Sequence, residues 1–485
     1  MNDQAKSVDS PADPAGAETA ARADEEQAAA AAAEAGAENS KQGGLRALLL
    51  RSSAYEMFGY GASQAIRFAS NLILTRLLFP QAFGLVALVN ILNQGLVMLS
   101  DVGLPTVIIQ SERGDDPRFL NTAYTWQVAR SAGLWVIAVL FAWPMALIYK
   151  EPQLLHLVPV GSLAVMIMGF RSTAYYTLRR RLQLRPLMML EMSSQLGAVL
   201  VMIPWALLAP SVWPLVGGTI VSAIIAAVGS HMLDVGYKNR FEWDRESAKS
   251  MFDFGKWIAG SSMLTFASGQ GDRLMLGRFL GAAKLGVYST AVFLSGALGE
   301  AITRITHGVF FPAYSRVRTE GHARLQQVYY RTRLAVDGVV ITILGGLSAL
   351  GPAVIQLLYD DRYHDAGWML QLLALRVAIS ALTAPAQFLL IALGQTSYGF
   401  WLNLARTVAL FGGVPIGFFS AGISGLVWAV ALSEVPALLV VYYGVAREKL
   451  LSPLLELRVP LFFAGGFVLG HLVNLILQRF GPFTG

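Results

Sequence analysis

Apolar runs of about twenty residues recur from Leu45 onward, separated by short stretches of Pro, Gly and charged residues. A helix of that length crosses a bilayer's hydrocarbon core. The pattern predicts helices at 54–79, 83–109, 120–148, 154–178, 187–209, 213–235, 254–280, 285–313, 327–358, 366–392, 398–419 and 423–445, with a thirteenth at 459–478. Leu45 to Leu50 reads as a short amphipathic lead-in. Pro and Gly inside several runs fit membrane helices, whose neighbours satisfy the freed backbone groups.

The first 40 residues break this pattern. They are Ala, Glu, Asp and Gly with almost no bulky apolar side chain, so burial cannot offset chain entropy and a disordered tail is expected. They lack the basic start and apolar core of a signal peptide. The tail carries nine acids and two bases, whereas the remaining chain carries 35 bases and 22 acids. The expected organisation is a disordered acidic, Ala-rich cytoplasmic tail at 1–44, an N-terminal half at 45–235 and a basic cytoplasmic linker at 236–250. A C-terminal half at 251–446 and an extension at 447–485 with the extra helix complete it.

Composition narrows the class further. Of 485 residues, 55% are hydrophobic and only 14% charged, and the mean hydropathy is +0.52. Soluble chains carry about 25% charged residues. A soluble enzyme, a disordered protein and a disulfide-stapled domain are excluded, and the absence of Cys removes thiolate metal sites and thiol nucleophiles.

The basic residues alternate by connection. Sixteen fall in one set of loops (Arg113 and Arg118; Arg179, Arg180, Arg181 and Arg185; Lys238, Arg240, Arg245 and Lys249; Arg316, Arg318 and Arg324; Arg447, Lys449 and Arg458). The alternate set holds three, Lys150, Lys284 and Arg362. Membrane topology explains this distribution better than nucleic-acid binding, and it predicts that the N-terminus and the basic loops face the cytoplasm.

Two halves repeat. Arg76-Leu77-Leu78 followed by Phe83-Gly84-Leu85 matches Arg278-Phe279-Leu280 followed by Leu285-Gly286-Val287 at a constant offset of 202. Leu147-Ile148-Tyr149 and Leu357-Leu358-Tyr359 end the third and ninth segments alike. Six spans per half make the halves parallel, an architecture that places a substrate path between them. The expected fold class is therefore an all-α polytopic membrane protein of two parallel six-helix halves.

Leu74-Thr-Arg-Leu-Leu-Phe-Pro-Gln-Ala-Phe-Gly-Leu-Val-Ala-Leu88 resembles the first helix hairpin of the polysaccharide transporter family, within the multidrug/oligosaccharidyl-lipid/polysaccharide exporter superfamily. Asp272-Arg-Leu-Met-Leu-Gly-Arg-Phe-Leu-Gly-Ala-Ala-Lys-Leu-Gly-Val-Tyr-Ser-Thr-Ala291 is similar to the matching signature of the second half. The resemblance covers roughly residues 50–445. It implies a Wzx-like flippase that moves an undecaprenyl diphosphate-linked oligosaccharide across the bacterial inner membrane, towards O-antigen, capsule or exopolysaccharide. The thirteenth span and the acidic tail depart from that family's common pattern.

A lipid diphosphate needs cations inside the membrane, where Arg and Lys are costly and face a cavity or a partner. Arg suits phosphate through its planar bidentate fork. By position the candidates are Arg67, Arg130, Arg171, Arg273, Arg304, Arg376 and Arg406, and the intramembrane acids are Glu56, Asp101, Asp272, Glu300, Asp337 and Glu434. Arg67, Arg273, Arg304, Asp272 and Glu300 lie on spans one, seven and eight, which are expected to line a V-shaped cleft with span two, and they form the expected substrate-binding set. Glu300, Arg304 and His307 fall on one helical face. Adjacent Asp272 and Arg273 are expected to have separate partners. Aromatic and amide side chains suited to sugars are Tyr60, Gln64, Asn71, Asn90, Asn93, Gln94, Trp126, Tyr175, Gln195, Gln270, Gln387 and Trp401.

No Gly-x4-Gly-Lys-Ser/Thr pattern and no His-Glu-x-x-His spacing occur, so neither a cofactor nor a metal is expected. The expected partners are a lipid-linked oligosaccharide and membrane lipid, with coupling to H+ or Na+ left open. A cation-coupled drug or metabolite antiporter of the same superfamily is the competing reading. A membrane enzyme is disfavoured, because the longest loop expected on the outer side has about eight residues. Gly277-x3-Gly281, Gly413-x3-Gly417 and Gly466-x3-Gly470 are expected to allow close helix packing.

Overall fold

The computed structural model describes residues 55, 57–101, 103–306 and 310–480. The acidic tail, the lead-in, Glu56 and His307 lie outside the described residues. Among the described residues the chain is helical without strands. Helix α1 covers 57–77, and α2 (Pro80–Leu99), α3 (Leu104–Gln110), α4 (Pro117–Tyr149), α5 (Leu154–Gly161), α6 (Leu163–Gly169), α7 (Ala174–Arg180), α8 (Leu184–Leu208) and α9 (Trp213–Ser230) complete the N-terminal half. The C-terminal half contains α10 (Arg245–Ile305), α11 (Phe311–Val317), α12 (His322–Val336), α13 (Thr342–Leu358), α14 (Ala366–Ala392), α15 (Ser397–Leu432) and α16 (Glu434–Arg447). The extension forms α17 (Pro453–Glu456) and α18 (Arg458–Phe480).

Each predicted span meets helix, but among the described residues spans two and four are not continuous. Span two divides at residues 100–103, where Gly103 takes a left-handed φ of 66° and its N–H donates to Asp101 Oδ1 at 2.9 Å. Ser100 Oγ donates to the Leu96 carbonyl at 2.6 Å, and Arg130 Nη2 donates to that of Val97 at 2.6 Å. Span four divides into α5, α6 and α7. Pro159 lacks a backbone donor, and at the second break Gln127 Nε2 donates to the carbonyls of Gly169 and Arg171, each at 2.9 Å. The Ser172 N–H donates to Ser230 Oγ at 2.8 Å. Polar side chains from α4 and α9 thus replace the lost helical bonds, as membrane burial requires.

Conversely, spans seven and eight join without a loop. The only non-helical residue inside α10 is Gly281, at φ 77°, a conformation that glycine adopts without penalty. Similarly, α15 bends at Ala421 and Gly422, so its second arm begins the twelfth span.

One apolar core joins both halves at the end of the Lys150, Lys284 and Arg362 connections. It includes Leu78, Leu85 and Leu154 from one half and Leu285, Tyr288 and Met369 from the other. At the basic-loop end the core divides in two. Phe119, Tyr175 and Met251 belong to one cluster, and Phe310, Tyr314 and Leu389 to another. The halves thus share one apolar core at one end and have separate clusters at the other, with α1, α2 and α10 at the border between them.

The thirteenth helix packs on α13. A Cβ at Gly466 would stand 2.0 Å from the Thr342 carbonyl oxygen, and one at Gly470 would stand 2.7 Å from that of Gly346. The Gly466-x3-Gly470 stripe therefore serves close backbone approach. Glu456 of α17 anchors the extension further, accepting from Arg333 Nη1 at 2.7 Å.

Candidate functional site: a polar cleft between the halves

Helix α1 turns Tyr60, Ser63, Gln64, Arg67 and Ser70 to the cavities, while Phe58, Phe68 and Ile73 are exposed on its surface. Two cavities open along it. The larger, of about 890 Å³, lies in the N-terminal half and is lined by Arg67, Asn90, Asn93, Gln127, Arg130 and Arg171, among others. The smaller, of about 240 Å³, is bounded by Tyr60, Gln64, Arg67, Arg179, Glu191 and Glu300. Gln195 and Glu191 contribute to both.

Arg67 also borders both cavities. It is exposed midway along α1 and forms no ion pair among the described residues; its one hydrogen bond, to Gln64 Oε1, is 3.5 Å long. Glu300, from the far half, meets the same smaller cavity and accepts from Tyr60 Oη at 3.0 Å. Two of the five expected substrate-site residues are therefore brought together.

Arg273 and Asp272 are not. Arg273 lies at the α2–α10 seam, where its Nη1 donates to Gln270 Oε1 at 3.0 Å and Gln270 Nε2 donates to Gln94 Oε1 at 2.8 Å. Asp272 is buried inside the C-terminal half, accepting from Arg376 Nη1 at 2.8 Å and Tyr288 Oη at 2.7 Å. It lines neither cavity, because its carboxylate is spent on that internal network. The neighbours thus do have separate partners. The Arg304 side chain lies outside the described residues.

Arg130 and Arg171 reach the larger cavity but are differently committed. Arg130 Nε donates to Ser100 Oγ at 3.0 Å, and with its bond to Val97 this side chain caps the break after α2. The Arg171 guanidinium sits 4.0 Å from the Tyr175 ring centroid, a cation–π distance. Its Nη2 donates to Tyr176 Oη at 3.0 Å, while its Nε is buried without a hydrogen-bond partner among the described residues.

Sequence reasoning missed Glu191, which lies in the eighth residue of α8 and accepts from Tyr175 Oη. It also missed Arg333, the most deeply buried cation among the described residues, held by Asp337 Oδ2 at 3.0 Å and by Glu456. The i, i+4 spacing of Arg333 and Asp337 was the available signal. No spacing could have announced Glu456.

The family described as polysaccharide biosynthesis protein matches residues 73–368, more than half of the chain. The chain belongs to that family. It is similar to the succinoglycan biosynthesis transport protein ExoT of Rhizobium meliloti (strain 1021), 26% identical over 89% of this chain and 86% of that protein. The lipopolysaccharide biosynthesis protein WzxC of Escherichia coli (strain K12) is 22% identical over 84% of this chain and 83% of that one. In fold it is similar to an inward-facing multidrug resistance MATE family transporter of the MOP superfamily, with a TM-score of 0.64, 14% identity, and coverage of 80% of this chain and 95% of that one. The lipid II flippase MurJ, in an inward closed conformation, gives a TM-score of 0.61 at 11% identity, covering 89% of this chain and 98% of that one. This family member is a multi-pass membrane protein with a transporter architecture.

Proposed function

We propose that the protein flips an undecaprenyl diphosphate-linked oligosaccharide across the bacterial inner membrane by alternating access, with its N-terminus and basic loops in the cytoplasm. The observation that carries this reading is Arg67. It is an exposed cation midway along α1, read here as the first span, free of ion pairs among the described residues, at the border of two cavities. A mid-bilayer Arg costs at least ~2.5 kcal/mol, so an unpaired one is best explained by an anion that arrives with the substrate. The diphosphate would meet Arg67, and Arg304 on the facing arm of α10 would join it. Glu300 would release Tyr60 as the cleft opens.

The sugar would lie against Asn90, Asn93 and Gln195, whose amides offer donors and acceptors to hydroxyls. The lipid tail stays in the bilayer. Relatives found by sequence are polysaccharide biosynthesis proteins, whereas the likeness to a drug transporter is one of fold, which favours this reading over drug or metabolite antiport. A coupling cation, H+ or Na+, is part of neither observation.

The test is translocation of a labelled undecaprenyl diphosphate-linked glycan in proteoliposomes. Arg67→Ala and Arg304→Ala should each abolish it in protein that still inserts. Arg67→Lys should restore part, since Lys keeps the charge without the bidentate fork. Full translocation in both Ala variants would remove these residues from the substrate path.

A further inference from the structure

Four charged side chains converge inside the C-terminal half. Arg376 of α14 lies between two acids, with Nη1 2.8 Å from Asp272 Oδ2 of α10 and Nε 3.4 Å from Glu434 Oε1 of α16. Arg406 of α15 places Nη2 2.7 Å from Glu434 Oε2. Tyr288, on the other arm of α10, donates to Asp272 Oδ2 at 2.7 Å. Asp272 is 1% exposed and Glu434 3%.

The group has two features of interest. It is deep in the fold: Asp272 lies nine residues before the α10 break, Arg376 ten residues after the start of α14 and Arg406 nine after the start of α15, about 14–15 Å along each helix. It is also balanced, two carboxylates against two guanidiniums. The same register in the N-terminal half puts Ser70 and Asn71 where the C-terminal half has Asp272 and Arg273, so the network belongs to one half alone.

Carboxylate and hydroxyl oxygens converging from several helices are the donor set of a hard metal cation. Here the space among those oxygens is filled by the Arg376 guanidinium. We propose that Arg376, assisted by Arg406, is a tethered counter-cation that occupies the place a metal cation would take between Asp272 and Glu434, so the C-terminal half needs no metal ion to neutralise its buried acids. Removing the Arg376 side chain leaves Asp272, Glu434 and the Tyr288 hydroxyl facing a vacated volume with one net negative charge. That is a latent monovalent-cation site. This inference is independent of the transported substrate.

The test is thermal unfolding of the full-length protein in nanodiscs, in NaCl, LiCl, KCl or choline chloride at equal ionic strength. The wild type should give one Tm in all four salts. Arg376→Ala should show a saturable upward Tm shift in at least one metal salt relative to choline, as a ligand that binds only the folded state produces. That shift should vanish in Arg376→Ala/Asp272→Asn. A metal-specific shift in the wild type that Asp272→Asn removes would overturn the proposal, as would a folded Arg376→Ala with no metal response. Should Arg376→Ala fail to fold, Arg376→Gln, which likewise removes the cation from between Asp272 and Glu434, is read by the same criteria.

Discussion

Gly84 and Gly286 press reciprocally against each other's helices at the closed end of the cleft. A Cβ on Gly84 would stand 1.8 Å from the Ala282 carbonyl oxygen, and one on Gly286 would stand 1.8 Å from that of Pro80. The two glycines are 202 residues apart, and so are Pro80 and Ala282. The contact is thus the same contact made twice, once by each half. Backbone against backbone leaves no flexible side chain to yield, so glycine is required at both positions.

This seam predicts unequal responses to one substitution. Gly84→Val and Gly286→Val must push α2 and α10 apart and should each cost about 1–3 kcal/mol, the usual range for overpacking. Gly133→Val on α4, where nothing lies within 4 Å of the added Cβ, is the control. Equal Tm values for the three variants would show that the seam can part without cost.

Each end of the cleft has a polar bridge between the halves. At the closed end Tyr359 Oη donates to Asn71 Oδ1 at 2.8 Å, and Arg362 Nη2 donates to the carbonyls of Thr75 and Arg76 at 3.2 and 3.0 Å. Towards the basic loops Tyr60 bonds Glu300. The chain has no Cys, so thiol pairs can be introduced without background. Asn71→Cys/Tyr359→Cys and Tyr60→Cys/Glu300→Cys, joined by a short thiol crosslinker, should both stop translocation, since alternating access opens each end in turn. Cleavage of a reducible crosslinker should restore what activity the uncrosslinked variants have. Undiminished flux in either crosslinked protein would rule out opening at that end.

Arg333 makes the extension part of the fold. The residue is 0% exposed, and its guanidinium is shared by Asp337, Glu456, Tyr329 and Tyr442. Breaking a buried ion pair by removing one partner leaves an unpaired charge and costs about 3–5 kcal/mol. Arg333→Ala should lower the Tm accordingly. Glu456→Gln should lower it less, because an amide oxygen still accepts from the guanidinium. Unaltered unfolding of Arg333→Ala would mean that water reaches the cluster.

The proposed orientation has its own check. Reporter fusions after Arg185 and after Tyr363 should report opposite sides of the membrane, with Arg185 cytoplasmic. The same side for both would contradict the alternation of basic and sparsely charged connections.

The sequence by itself determined the helices and their class, because apolar length and helical spacing are local properties. The run 366–392 coincides with α14 (Ala366–Ala392), and 459–478 falls within α18 (Arg458–Phe480). It also matched Gly84 with Gly286 by counting, as one position of a repeat, but not their contact, which only the structure shows. It could not tell that spans two and four are broken, because the bonds that tolerate the breaks come from Arg130, Gln127 and Ser230 on other helices. Nor could it sort the intramembrane charges. Arg67 and Arg376 look alike in an apolar run, yet one faces the cleft without an ion pair and the other is enclosed by Asp272 and Glu434. What a buried charge does depends on which opposite charge the fold brings within about 4 Å, and those partners lie 58 and 104 residues from Arg376. Only the tertiary structure decided them.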